Sequence, residues 1–227
     1  MKLVAFGDSF TEGLIKEPIE NTQEERAEIN YANQLLKLDN PFTSLENLAY
    51  RGNGNETIAY KIYKRLQSDY KDCFFLVAWS APARQGMYIK KDDEYKTDHH
   101  PTIKHYKFQT EMLMLGIHFA LNEFKVPHAF INAFSPHTHY SNLFNSKFFN
   151  KINYINSTYK RNTLFDIIAE RYGNTSEPDQ KEFFDVASNK YISKCNHPTA
   201  LGHQLIAEKI NPFLKKTLDT QLKEYII

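Results

Sequence analysis

Glycine and cysteine are scarce in this 227-residue chain, which has eight of the first and two of the second. The two cysteines, Cys73 and Cys195, are too few for a disulfide scaffold or a four-ligand structural zinc site. Charge of one sign is not in excess either: 28 basic residues stand against 27 acidic ones, for a net charge of +1. That balance argues against a nucleic-acid footprint and against a polybasic membrane anchor, although a local basic patch is compatible with it. No stretch approaches the roughly 18 apolar residues of an integral membrane segment. Only Leu3 to Phe6 intervene before Gly7-Asp8, too short for the apolar core of a signal peptide. The expectation is therefore a soluble protein, cytoplasmic as synthesised, with association with a virion as an alternative setting.

What is present is enough to fold. An apolar share of 41% is far above that of disordered chains, and 227 residues suit one compact domain with a large core. No internal repeat and no low-complexity linker marks a boundary, so residues 1–227 are expected to form a single domain.

Short apolar runs predict strands at Lys2 to Phe6, Leu45 to Tyr50, Cys73 to Trp79 and His128 to Phe134. The third is apolar throughout, as suits a strand covered on both faces, and Cys73 reads as a small core residue within it. Helical patterns lie between them at Tyr31 to Leu38, Asn55 to Leu66 and Thr110 to Phe124. In the second of these Ile58, Ile62 and Leu66 recur every four residues as one buried stripe. A last helix is expected from about Pro198 to Leu218, with Leu201, Leu205 and Ile206 inward and Pro212 bending or breaking it. This alternation predicts an α/β fold with a parallel sheet. Ile15 to Asn30 reads as a surface loop or short exposed helix, and Gln85 to His105 as an insertion after the third strand. Tyr140 to Lys194 mixes aromatics, Asn and charge, with a possible helix from Thr163 to Tyr172 ended by Gly173.

In open parallel sheets, ligands bind beyond the carboxyl ends of the strands. Ser9 lies just past such an end, in Phe6-Gly7-Asp8-Ser9-Phe10-Thr11. By itself it fits a turn or N-cap serine as well as a nucleophile. The Gly-x-Ser-x-Gly elbow is absent, because Thr11 replaces the second glycine. A serine hydroxyl needs a base to become a nucleophile. The stretch Asn196-His197-Pro198-Thr199-Ala200-Leu201-Gly202-His203 offers one at the start of a helix, where Pro198 suits the first turn. His197 alone also fits a capping or surface role, and His203 reads as structural. The pairs His99-His100 and His137-Thr138-His139 have metal-ligand chemistry but no recognised spacing, so surface loops explain them better.

Together, Gly7-Asp8-Ser9-Phe10-Thr11 near one end and His197-Pro198-Thr199-Ala200-Leu201-Gly202-His203 near the other resemble the GDSL or SGNH hydrolase family. Asn47-Leu48-Ala49-Tyr50-Arg51-Gly52 looks like that family's second block. The resemblance implies a flavodoxin-like three-layer α/β/α sandwich with a central parallel sheet of about five strands. It also implies hydrolysis of acyl or acetyl esters, with a small-molecule, carbohydrate or lipid ester as substrate and no metal or organic cofactor. Position by position, Ser9 would be the nucleophile, His197 the general base, and the N–H groups of Ser9 and Gly52 oxyanion donors.

Two blocks depart from the family. Its third block, Gly-x-Asn-Asp, is replaced by Ala78-Trp79-Ser80-Ala81-Pro82, which puts Ser80 at the position of an oxyanion-binding asparagine. Ser80, or Asn55 from the Gly52-Asn53-Gly54-Asn55 turn, becomes the expected third donor. Asp8 and Arg84 are candidate substrate-binding residues, Arg84 equally fitting a structural salt bridge. The aspartate expected three before the histidine is Lys194 here. Either a backbone carbonyl orients His197, or a carboxylate arrives from elsewhere, Asp185 being the nearest upstream, or the enzyme is slow; a Ser9–His197 dyad with a non-carboxylate orienter is the expected form. A degenerate hydrolase fold kept as a binding or structural module is the alternative reading.

Overall fold

The computed structural model describes residues 1–14, 21–80, 103–133, 164, 167–168, 190–193 and 197–226. Four strands form one sheet: β1 (Lys2–Phe6), β2 (Ser44–Asn47), β3 (Cys73–Trp79) and β4 (His128–Asn132). Their order is β2-β1-β3-β4 and every pairing is parallel. Among the described residues the sheet thus has four strands, one for each apolar run, where the family resemblance implied about five.

The helices are α1 (Ser9–Glu12), α2 (Gln23–Ile29), α3 (Tyr31–Leu35), α4 (Asn55–Leu66), α5 (Ile103–Glu123) and α6 (Ala200–Ile226). Successive strand residues point to opposite faces, which divides the core into two. Leu3, Ala5, Phe74, Leu76, Ala129 and Ile131 pack with α3 and α6. Val4, Phe6, Phe75, Val77, Trp79 and Phe130 pack with α4 and α5. Helices on both faces of a parallel sheet give the three-layer α/β/α arrangement. Cys73 is buried in the second cluster, as a small core residue.

Element bounds differ from expectation for identifiable reasons. The second strand ends at Asn47, not Tyr50, because the Asn47 side chain turns inward and accepts the Ala49 N–H at 3.0 Å. The chain still follows β1 beyond that point, through Leu48 N–H to Ala5 O and Tyr50 N–H to Gly7 O. The helix expected from Tyr31 to Leu38 stops at Leu35, where the N–H groups of Leu36, Lys37 and Leu38 switch to carbonyls three residues back. The helix expected at Thr110 starts at Ile103. The exposed stretch before Asn30 contains α2, closed by a capping box between Thr22 and Glu25.

Pro212 neither breaks nor ends the last helix, which continues to Ile226. Leu205, Ile206, Ile210, Leu214 and Leu218 keep one face anchored on the sheet across the proline. Leu201, expected to face inward, is 46% exposed. No described helix is long and apolar enough to cross a membrane. Of the helix expected from Thr163 to Tyr172, only Leu164, Ile167 and Ile168 are described, all buried.

Candidate active site

The strand order reverses at β1, which sends the chain first to β2 on one side and later to β3 on the other. Such a switch point opens a crevice at the carboxyl ends of the strands. Ser9 follows β1 there, as the first residue of α1. Asp8 caps that helix, its Oδ1 accepting the Phe10 N–H at 3.0 Å. Gly7 cannot be replaced without displacing the turn, since a Cβ would collide with the Thr11 hydroxyl.

His197 arrives from the other end of the chain. Its Nε2 lies 2.9 Å from Ser9 Oγ, a hydrogen bond across 188 residues of sequence. The Phe10 ring packs against the imidazole with centroids 5.6 Å apart. The histidine's backbone is held by a short antiparallel clasp between residues 191–193 and 197–199. Ser193 N–H donates to His197 O at 2.8 Å, the Ser193 hydroxyl donates to the same carbonyl at 2.9 Å, and Thr199 N–H donates to Tyr191 O. Gly202 allows that clasp to sit on α6, because any Cβ there would run into Tyr191 O.

On the β2 side, the loop after Asn47 is stitched to the turn that carries Ser9. Asn47 Nδ2 donates to Thr11 O at 2.9 Å, Asn53 Nδ2 to Gly7 O at 2.8 Å, and Arg51 N–H to Glu12 Oε2 at 2.6 Å. Gly52 has a left-handed φ of 80° and open space where a side chain would stand. The N–H groups of Ser9 and Gly52 make no hydrogen bond to any other group of the described chain. For Ser9 this follows from its place in the first helical turn, where amides have no intrahelical acceptor.

The expected third donors are engaged elsewhere. The Ser80 hydroxyl donates to Asp8 Oδ2 at 2.7 Å. Asn55 accepts the Ser80 N–H at 2.8 Å, and its Nδ2 donates to Ser80 O at 3.2 Å and Thr110 Oγ1 at 3.1 Å. Both side chains therefore direct their hydrogens into the protein. Asp8, a candidate for contacting substrate, is wholly buried and serves the turn from within. Arg84, Asp185, Lys194 and Cys195 lie outside the described residues, as do both histidine pairs.

His203 is wholly buried, stacked on Tyr31 with centroids 6.2 Å apart, and neither ring nitrogen has a hydrogen-bond partner. Burial, and secondarily the nearby His197, lowers its pKa to about 3. It is a neutral core residue, consistent with a structural role. Among the described residues no group of three or more His, Cys, Asp or Glu side chains is placed to hold a metal ion.

Glu12 and Asn53 are the residues of this site that sequence reasoning passed over. The one signal available was their position, each flanking a glycine or the Gly-Asp-Ser motif with a side chain able to bond a loop backbone.

Comparison with known proteins gives this geometry a context. No curated protein matches the sequence. Among solved structures, the psychrotrophic esterase EstA from Pseudoalteromonas sp. is similar at 12% identity, with 96% of this chain and 98% of that one covered and a TM-score of 0.54. A member of the lipolytic protein G-D-S-L family from Veillonella parvula is similar at 12% identity, covering 92% and 96%, with a TM-score of 0.51. The acetyl-xylooligosaccharide esterase Axe2 from Geobacillus is similar at 11% identity, covering 94% and 93%, with a TM-score of 0.50. At such identities the likeness establishes the fold. The sequence itself matches the family described as GDSL-like lipase/acylhydrolase over residues 3–210. A fold of that kind, a Gly-Asp-Ser turn after β1 and a match over nearly the whole chain place this protein in the GDSL-like lipase/acylhydrolase family.

Proposed function

We propose that this protein is an esterase that cleaves acyl esters through an acyl-Ser9 intermediate, with His197 as general base. The observation that carries the reading is the 2.9 Å contact between His197 Nε2 and Ser9 Oγ. A base within hydrogen-bond reach of a hydroxyl at a crevice is what nucleophilic acyl transfer requires. With its proton on Nδ1, His197 takes the Ser9 proton as Oγ attacks the ester carbonyl. It then returns that proton to the leaving alcohol, and water repeats the cycle to release the acid. The tetrahedral oxyanion is stabilised by the N–H groups of Ser9 and Gly52, each free of another acceptor in the described chain. Each such donor is worth about 10²–10³ in rate.

The scheme draws on no cofactor. Its substrate is a small ester, free or on a carbohydrate or lipid. Hydrolysis and acyl transfer to another alcohol use the same residues and differ in whether water reaches the acyl-enzyme.

A second reading, a catalytically degenerate binding module, draws support from Ser80, whose hydroxyl is directed to Asp8 rather than outward. One experiment separates the two. A fluorophosphonate probe is expected to label the wild type and not Ser9→Ala, and p-nitrophenyl acetate turnover is expected to fall by roughly 10⁴-fold or more in His197→Ala. Absence of labelling in both proteins rejects the esterase. Wild-type turnover in His197→Ala rejects the assignment of the base.

A further inference from the structure

Glu12 stands three residues after Ser9, in the same turn of helix, and takes no part in the proton transfers above. Its side chain is only 12% exposed. Oε2 accepts the Arg51 backbone N–H at 2.6 Å, while Oε1 lies 3.4 Å from Arg26 Nε and 3.9 Å from Arg51 Nε. The two arginines alone would make Glu12 an ordinary buried ion pair. What sets this one apart is the backbone amide it chooses.

Arg51 immediately precedes Gly52. The Gly52 backbone has a left-handed φ, and no side chain or neighbouring atom packs where its Cβ would be. Asn53 N–H donates to Tyr50 O at 3.1 Å, closing a tight turn around Arg51 and Gly52. That turn is tied to the segment carrying Ser9, since Arg51 N–H is bonded to Glu12 and the Asn53 side chain to Gly7 O at 2.8 Å. Both anchors are on the turn that carries Ser9. The nucleophile and the second oxyanion donor are thus placed by one short segment, Gly7 to Glu12.

Charge favours the same arrangement. A lone carboxylate beside an oxyanion site would oppose the negative charge developing there. Two guanidinium groups face Glu12 Oε1, so the cluster does not carry that penalty.

We propose that Glu12 is a positioning residue for the oxyanion site, holding the Arg51–Gly52 segment so that Gly52 N–H meets the oxyanion formed on Ser9 acylation. The proposal rests on the esterase reading above. It predicts that reach matters more than charge. Glu12→Gln keeps an oxygen at the same distance and loses the charge, whereas Glu12→Asp keeps the charge and is one methylene too short.

The test measures p-nitrophenyl acetate kinetics, fluorophosphonate labelling rate and melting temperature for both variants. Glu12→Asp is expected to lose about 10–100-fold in kcat with KM within about twofold, and to label correspondingly slowly. Glu12→Gln is expected to stay within about fivefold of wild type. The reverse order, or wild-type kcat in both, overturns the proposal, as does a loss confined to KM. The Arg51 amide proton provides a readout independent of activity. Its resonance should lie downfield in wild type and Glu12→Gln and move upfield in Glu12→Asp, and an unmoved resonance overturns the contact. A wild-type protein without Ser9-dependent turnover would sink the esterase reading, whereas the amide shift and the variant order address Glu12 alone.

Discussion

Hydrogen bonds among Asp8, Ser80 and Asn55 decide what Ser80, at the end of β3, can donate. The Ser80 hydroxyl has a single hydrogen and gives it to a buried carboxylate, a charge-assisted bond of 2.7 Å. Turning that hydrogen toward substrate would break a charge-assisted bond to a buried carboxylate, at a cost of about 1–3 kcal/mol. Ser80 therefore acts on Asp8, and through it on the turn holding Ser9. Its replacement by alanine is expected to lower stability while leaving kcat within about tenfold of wild type. Loss of a true oxyanion donor would cost about 10²–10³. Thermal melts and p-nitrophenyl acetate kinetics on the same preparation distinguish the two outcomes, and a hundredfold drop in kcat without destabilisation would restore Ser80 as a donor.

At the scale of elements, the segment leading into α6 carries His197, the proposed base, and its placement depends on one missing side chain. Gly202 lies against the Tyr191 carbonyl so closely that a Cβ would overlap it, and Pro198 Cβ would also be only 3.2 Å away. The Tyr191 backbone cannot yield without opening its bond from Thr199 N–H, and with it the clasp that holds His197. Gly202→Ala is therefore expected to lower both stability, by about 1–3 kcal/mol, and Ser9-dependent turnover. Chemical denaturation and kinetics check this. A variant as stable and active as wild type would show that the clasp can move freely.

At the same scale, α4 was legible in the sequence to the residue. Ile58, Ile62 and Leu66 form one buried stripe, and nothing else competes for that pattern. The ends of α3, β2 and α6 were not. Asn47 ends β2 by accepting the Ala49 N–H, held in that pose by its Nδ2 bond to Thr11 O of a distant turn, and α6 runs through Pro212 because its buried face stays docked on the sheet. Those are long-range contacts that local periodicity does not contain.

Across the whole molecule, two buried histidines tie stability to pH. His128 lies at the start of β4, its Nδ1 2.9 Å from Val126 O and its Nε2 2.9 Å from His118 Nδ1. The His128 N–H donates to Gln221 Oε1 of α6, which links the far ends of β4, α5 and α6. Burial lowers the pKa of His128 to about 3, as it does for His203. In the unfolded chain both protonate near 6.5. Below that pH the unfolded state binds more protons than the folded one, so their contribution is complete above 6.5 and is lost as pH falls toward 3. Each histidine adds a slope of up to about 1.4 kcal/mol per pH unit in that window. Urea midpoints measured from pH 7 to pH 4 should fall steeply, and more gently in His203→Phe. An identical pH dependence in the two proteins would show that His203 does not carry this term.

What the sequence determined by itself is what short-range pattern controls. The apolar runs of β1, β3 and β4, the stripe of α4, and the resemblance of the Ser9 and His197 segments to one family are all written in neighbouring residues. The tertiary structure alone decided which polar groups remain for chemistry. Asp8, Ser80 and Asn55 are consumed in bonds between segments far apart in sequence, and Glu12 reaches across to Arg51. A hydrogen can be donated in one main direction, and that direction is set by whichever acceptor the fold brings within 3 Å.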